Sequence, residues 1–388
     1  MRPGRQVDWH LLAAVMLGML LIQMIVPASR AATSYLSIDI GLDAAHIGIL
    51  SASYALLPVL LTVQIGRIAA LRAGRPAMVI GTLLIVLAIG GLAWAPKAFW
   101  TMVAFTTILG VGQTLGMTAL QTIAIRASGR HNRDMVLGNT SMAIAVGHAL
   151  GPVLIWAAAW AGAGIGPSVL VQCALLSVPL LITSLVVTRR VAQRHAPRPV
   201  DSAASGLAIW RVPGMPWILT VGALSATTLD LLIVFVPLLG LDQGWSPEFV
   251  GLLLILRALA SIAVRFLYAR LVRLFGRRPL MLGALAVAVA GLLVLALPLP
   301  DFAPALAMLA CGFGLGIVGT NSIAMALGAV APSGHAAAIS MRLGTNRLLQ
   351  FVLPLGAGII ATGLGAGSVF AIVAACLAGN AIMLRFQK

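Results

Sequence analysis

One acidic side chain stands in the middle of an apolar run of this chain. Asp230 lies within LSATTLDLLIVFVPLLG, while the other eight of the nine acidic residues fall at the ends of such runs or between them. A carboxylate in apolar surroundings either takes up a proton or pairs with a cation. The nearest cation by depth is Arg257 in the following run, so an Asp230–Arg257 ion pair is expected, as a structural bridge or as a proton-sensitive pair. Arg30 and Arg347 also lie inside runs, where a guanidinium fork suits a carboxylate or phosphate. Tyr54, Gln113, Asn321 and Asn346 are candidate hydrogen-bonding residues for a solute, and Gln350 joins Asn346 and Arg347 in a polar patch. His148 can take up a proton near neutral pH or serve as a packing imidazole. Asp230 and His148 are therefore the candidates for proton coupling. Arg265 and Arg342 are nearer one end of their runs and are expected to extend to the surface.

Other chemistries lack their residues. Cys173, Cys311 and Cys376 are far apart, and the six histidines have no metal-ligand spacing, so no metal and no cofactor are expected. There is no GxxxxGK[ST] phosphate loop. A membrane-embedded enzyme would need a nucleophile beside a base, and one Asp and one His in unrelated runs do not supply it. The chain is read as a non-enzyme.

The elements that hold these residues follow from composition. The 388 residues are 61% hydrophobic and 9% charged, with mean hydropathy +1.06. Soluble domains are about 45–50% apolar and about 25% charged. Apolar stretches of about 20 residues cross a hydrocarbon core as helix. Twelve are expected, over 10–36, 46–70, 77–95, 100–124, 136–160, 167–187, 213–239, 247–269, 280–298, 303–329, 337–361 and 366–385. The basic stretch RRVAQRHAPRPVDSAAS (189–205) divides six from six. The expected organisation is an N-terminal half at 1–188, a linker at 189–211 and a C-terminal half at 212–388. The net charge of +16 comes mostly from arginines in one alternate set of loops and tails, with Lys97 alone in the opposite set. That bias places both termini in the cytoplasm, in a bacterial inner membrane. It also makes nucleic acid a poor partner; the expected partners are the bilayer, a small solute and a proton or other coupling ion, with the chain a monomer.

The halves repeat. An offset of 203 lays Gly48 on Gly251, Arg67 on Arg270 and Arg75-Pro76 on Arg278-Pro279; an offset of 202 lays Gly110 and Gly112 on Gly312 and Gly314, and Pro152 on Pro354. Parallel six-span repeats are one known transporter architecture. The segments GRIAALRAGRP (66–76) and ARLVRLFGRRP (269–279) resemble the cytoplasmic loop motif of the major facilitator superfamily. The residues carrying it are Gly66, Arg67 and Arg75 in the first copy and Arg270, Gly276 and Arg277 in the second. The motif's usual Asp is replaced by Ala70 or Leu71 and by Arg273. Gly138, Gly147, Gly151 and Pro152 are similar to that family's antiporter motif, with Ile155 at the last glycine position and Thr106 where drug/proton antiporters often carry an Arg. The resemblance implies an all-α membrane protein of twelve transmembrane helices in two pseudo-symmetric six-helix bundles. It implies a secondary active transporter working by alternating access, first as a proton-coupled exporter of small organic or drug-like solutes. The alternative is uptake of a small anionic metabolite, which suits five arginines against one acid within the spans.

Overall fold

Each apolar run forms a helix in the computed structural model, which describes residues 8–61, 64–65, 68, 74–95, 97–127, 133–162, 164–192, 210–300, 302–331 and 335–386. In chain order the helices are α1 (Trp9–Asp39), α2 (Ala44–Leu60), α3 (Arg75–Trp94), α4 (Phe99–Ala127), α5 (Arg133–Trp160) and α6 (Ile165–Ala192). They continue with α7 (Met215–Gln243), α8 (Pro247–Phe275), α9 (Arg277–Leu295), α10 (Phe302–Gly328), α11 (His335–Leu364) and α12 (Ala366–Phe386). No strand occurs among the described residues. Eleven of the helices are long and apolar enough to cross a membrane, and the 17 described residues of α2 are equally apolar. Helix is forced here, because every backbone polar group in hydrocarbon must be satisfied within its own segment. Large apolar side chains such as Leu83, Leu87, Leu175 and Ile182 point outward from α3 and α6. Trp94, Trp100 and Trp160 are exposed at the end of α3, the start of α4 and the end of α5, as interfacial anchors are.

The helix ends are closed by side chains. Asp8 accepts from Leu11 N at 3.1 Å at the start of α1 and lies 3.8 Å from Arg190 at the end of α6. Asp43 accepts from His46 N at 2.9 Å, capping α2, and Ser246 caps α8 through Phe249 N at 3.3 Å. Lys97 donates to the carbonyls of Leu92 and Ala93 at the end of α3, and partial burial lowers its pKa. The last helix is held at both ends. Asp242 accepts from Ala366 N at 3.0 Å, and Arg278 Nη2 donates to the carbonyls of Leu384 and Arg385, each at 3.0 Å.

The chain divides into two compact units, Met1–Leu36 with Ser53–Val200 and Ser37–Ala52 with Asp201–Lys388. Compared with the halves expected from the sequence, the segment 37–52 groups with the second unit. There Gly48 packs on α11, where a methyl would stand 2.5 Å from the Pro354 carbonyl oxygen and 2.8 Å from Gly358 Cα. The expected linker falls largely at 193–209, outside the described residues.

Each unit uses the same helix pairs. In the first, α3 packs most closely on α4 and α6; in the second, α9 packs on α10 and α12. The contact points repeat as well. A methyl at Gly112 would lie 2.9 Å from Gly81 O and Ile85 N, and one at Gly314 would lie 2.5 Å from Ala284 O and 2.8 Å from Ala288 N. Gly110 meets the Tyr54 carbonyl, as Gly312 meets that of Arg257. Bare backbone at these four glycines lets the helices approach closely.

Candidate functional site

The first unit joins four helices through one polar chain. Gly147 abuts the Leu20 carbonyl and Gln23 Cβ, which brings α5 onto α1. The next residue, His148, thereby reaches Gln23, whose Nε2 stands 2.6 Å from His148 Nε2. Gln113 Nε2 of α4 donates to Gln23 Oε1 at 2.9 Å. The Tyr54 hydroxyl of α2 donates to Gln113 Oε1. The close approach at Gly110, one turn before Gln113, makes that last contact reachable. Arg30 completes the group, with its guanidinium carbon 4.4 Å from the Tyr54 ring centroid. Arg30 and Tyr54 are buried, as is Gln23, while Gln113 and His148 are half-buried.

The second unit carries an acidic counterpart. Gln350 Nε2 of α11 donates to Asp230 Oδ2 of α7 at 2.6 Å. Arg347 Nη1 donates to Gln350 Oε1 at 3.0 Å. This places Arg347 and Asp230 on opposite ends of one amide. Asn346 keeps its Oδ1 buried with no hydrogen-bond partner among the described residues. The ion pair expected between Asp230 and Arg257 is absent as a contact, since no hydrogen bond or ion pair joins them. Residue depth suggested the pair, but depth leaves rotation about each helix axis open, and Asp230 turns toward α11. Arg257 is 3% exposed, and its Nε and Nη2 are buried with no hydrogen-bond partner among the described residues.

The two clusters share one plan. The offset of 202 that lays Pro152 on Pro354 also lays His148 on Gln350. Each of these residues bonds to the first helix of its own unit, through Gln23 of α1 or Asp230 of α7. Sequence reasoning missed Gln23. Its signal was a glutamine in an apolar run, two turns before Arg30 and so on the same helix face.

Other expected residues take structural positions. Asn321 is fully buried, accepting from the Tyr268 hydroxyl at 2.9 Å and donating to the Arg277 carbonyl at 2.7 Å. Both its polar ends are thus engaged in tying α8, α9 and α10 together. Arg342, expected to extend to the surface, instead donates to the Gly319 carbonyl of α10 at 3.3 Å. In the loop motif, Gly276 turns α8 into α9 at φ +78°, and Gly74 opens α3 at φ +85°; both are conformations that favour glycine. Arg270 and Arg277 are exposed, Arg75 opens α3, and Gly66 and Arg67 lie outside the described residues. In α5, Gly147 and Gly151 pack on α1, whereas nothing stands within 4 Å of a methyl built at Gly138. Pro152 lies inside α5, one turn past His148. No group of three or more potential metal ligands occurs among the described residues.

Among the described residues, twelve apolar helices in two repeated units, each with a polar cluster between its first and fifth helices, define a multi-pass membrane transporter. The Major Facilitator Superfamily profile matches residues 11–241 and 218–388, and the chain belongs to that superfamily. No curated protein matches the chain. Among solved structures it is similar to the nucleoside transporter NupG, with TM-score 0.78 and 16% identity over 97% of this chain and 98% of that one. It is also similar to a POT family transporter in complex with a thioalcohol-conjugated peptide, with TM-score 0.74 and 13% identity over 96% and 95% of the two chains. A POT family transporter in complex with 5-aminolevulinic acid gives TM-score 0.74 at 14% identity, over 97% and 96%.

Proposed function

We propose that the protein is a proton-coupled secondary transporter of a small organic anion, working by alternating access as a monomer with both termini in the cytoplasm of a bacterial cell. Arg257 carries this reading. A buried guanidinium with two unpartnered N–H-bearing nitrogens is costly to keep, and breaking a buried pair typically costs about 3–5 kcal/mol. Intramembrane charges kept at such a cost mark ion and substrate pathways. Arg30 and Arg347 add positive charge within the helices, and Asp230 is the one carboxylate in the middle of an apolar run to balance them. Asp230 is the coupling carboxylate in this reading, with Gln350 able to donate to it in its charged form.

A second reading, export of small organic or drug-like solutes by proton antiport, is favoured by the close packing of Gly147 and Gly151 on α1. The sign of a pH change separates the two. Purified protein would be placed in vesicles containing a trapped pH-sensitive dye. A panel of carboxylates, sulfonates and phosphate esters would then be added outside, beside matched amides and amines. Anion–proton co-transport acidifies the lumen beyond protein-free vesicles, and solute–proton exchange makes it alkaline. Alkaline responses to amines with none to anions would replace the first reading by the second. No response to any member of the panel would count against both.

A further inference from the structure

The hydrogen bonds that link Tyr54, Gln113, Gln23 and His148 run one way. Tyr54 donates to Gln113, Gln113 donates to Gln23, and the Gln23 amide nitrogen, which can only donate, faces His148 Nε2. His148 Nε2 is therefore an acceptor, and the ring is neutral with its proton on Nδ1. A protonated imidazole has N–H on both nitrogens and no acceptor. At 2.6 Å it cannot coexist with the amide N–H of Gln23. Gln23 must then turn its Oε1 to the ring, which sends its amide nitrogen to Gln113. Gln113 must turn in the same sense and donate to Tyr54, whose oxygen becomes an acceptor. The phenol proton is thereby released from Gln113.

We propose that Gln23 and Gln113 are a polarity relay that converts protonation of His148 into release of the Tyr54 hydroxyl proton beside Arg30. No proton moves along the chain; two side-chain amides rotate. The released O–H and the Arg30 guanidinium, stacked on the same ring, then offer donors to one carboxylate or other acceptor oxygen of a solute. Proton and acceptor solute thus favour each other at this place. The inference rests on the proton-coupled reading above and gives it a second titrating group.

From α1 the ionisable group near His148 is Arg30, from α2 it is Tyr54, and from α6 it is Cys173, whose thiol donates to the Ile25 carbonyl at 3.6 Å. The charged residues of α4 and of α5 itself are Arg126, Arg133 and Asp134. They lie 13 to 15 residues along their helices from Gln113 or His148, about 20 Å away.

The chain has only three tyrosines, which makes the state of Tyr54 measurable. The tyrosine doublet in ultraviolet resonance Raman spectra distinguishes a phenol that donates from one that accepts. Spectra of the full chain in lipid nanodiscs would be taken from about pH 8 to about pH 5, a range spanning histidine titration. Subtracting the Tyr54→Phe spectrum isolates Tyr54. Wild type should shift from donor to acceptor with the slope of one proton, and Gln23→Leu should abolish the shift. A flat wild-type profile, or a shift that survives in Gln23→Leu, overturns the relay. If Gln23→Leu does not fold, Gln113→Leu takes its place. With no amide left to turn between Gln23 and Tyr54, the tyrosine signal should stay flat across the range, and a persisting shift overturns the proposal. The spectra need no solute and no gradient. Absent anion-driven flux with an intact Tyr54 shift therefore defeats the transport reading alone, and the converse result defeats the relay alone.

Discussion

Substituting alanine at each of the three α5 glycines tests whether the packing on α1 is what these positions are for. Replacing Gly by Ala in a helix gains about 0.8–1 kcal/mol of intrinsic propensity. At Gly138 nothing stands within 4 Å of the new methyl, so Gly138→Ala should keep that gain. At Gly151 the methyl would lie 3.2 Å from the Met24 carbonyl oxygen and no closer than 3.7 Å to anything else. A few tenths of an ångström relieves that contact, so Gly151→Ala should fall near wild type. At Gly147 the methyl would stand 2.9 Å from Gln23 Cβ and 3.1 Å from Leu20 Cα, and closer still to the Leu20 carbonyl oxygen. Backbone cannot rotate away, and overpacking of this kind costs about 1–3 kcal/mol. Taking the upper end, Gly147→Ala loses about 2 kcal/mol net and stands about 3 kcal/mol below Gly138→Ala. Unfolding midpoints in mixed SDS micelles, measured for all three variants under one condition, give the order directly. A Gly147→Ala protein as stable as wild type, or a Gly138→Ala protein weaker than Gly147→Ala, would refute the packing argument.

Three further outcomes follow from the same geometry. Arg257→Leu should raise stability by about 1–3 kcal/mol, because a buried guanidinium with unpartnered nitrogens is replaced by an apolar side chain, while anion-driven proton flux in vesicles is lost; unchanged flux would remove Arg257 from the mechanism. Asp242→Ala and Arg278→Gln should each increase amide exchange at one end of α12, the first near Ala366 and the second near Leu384, with the opposite end unchanged; exchange spread evenly along α12 would contradict the two caps. Asp43→Ala should destabilise the start of α2 by about 1 kcal/mol. The backbone N–H of His46, and then its ring, hold the Asp43 carboxyl below its ordinary 3.8, so this cap is fully present above about pH 4 and fades as pH falls through the lowered value; amide exchange at His46 that stays flat down to about pH 2 would contradict it.

The helices were legible because each apolar run satisfies its own backbone, so run length alone decides element type. The repeat was legible because its offset holds at glycines, where a side chain would collide with a neighbouring helix. Contacts among polar side chains were not legible in the same way. Asp230 and Arg257 sit at similar depth on consecutive helices, yet each residue advances about 100° around its axis, and packing sets the phase. The partner of Asp230 is Gln350, 120 residues away on α11, and no local pattern announces it. Asn321 is a related case: an amide in an apolar run reads alike whether it awaits a solute or ties three helices together. The repeat itself held the missing information. Once His148 is assigned a partner on α1, the offset of 202 carries it to Gln350 and directs attention to α7, one turn from the image of Gln23, where Asp230 stands. A polar pair between first and fifth helices in one half thus implies its counterpart in the other, with imidazole–amide in the first half where the second has amide–carboxylate.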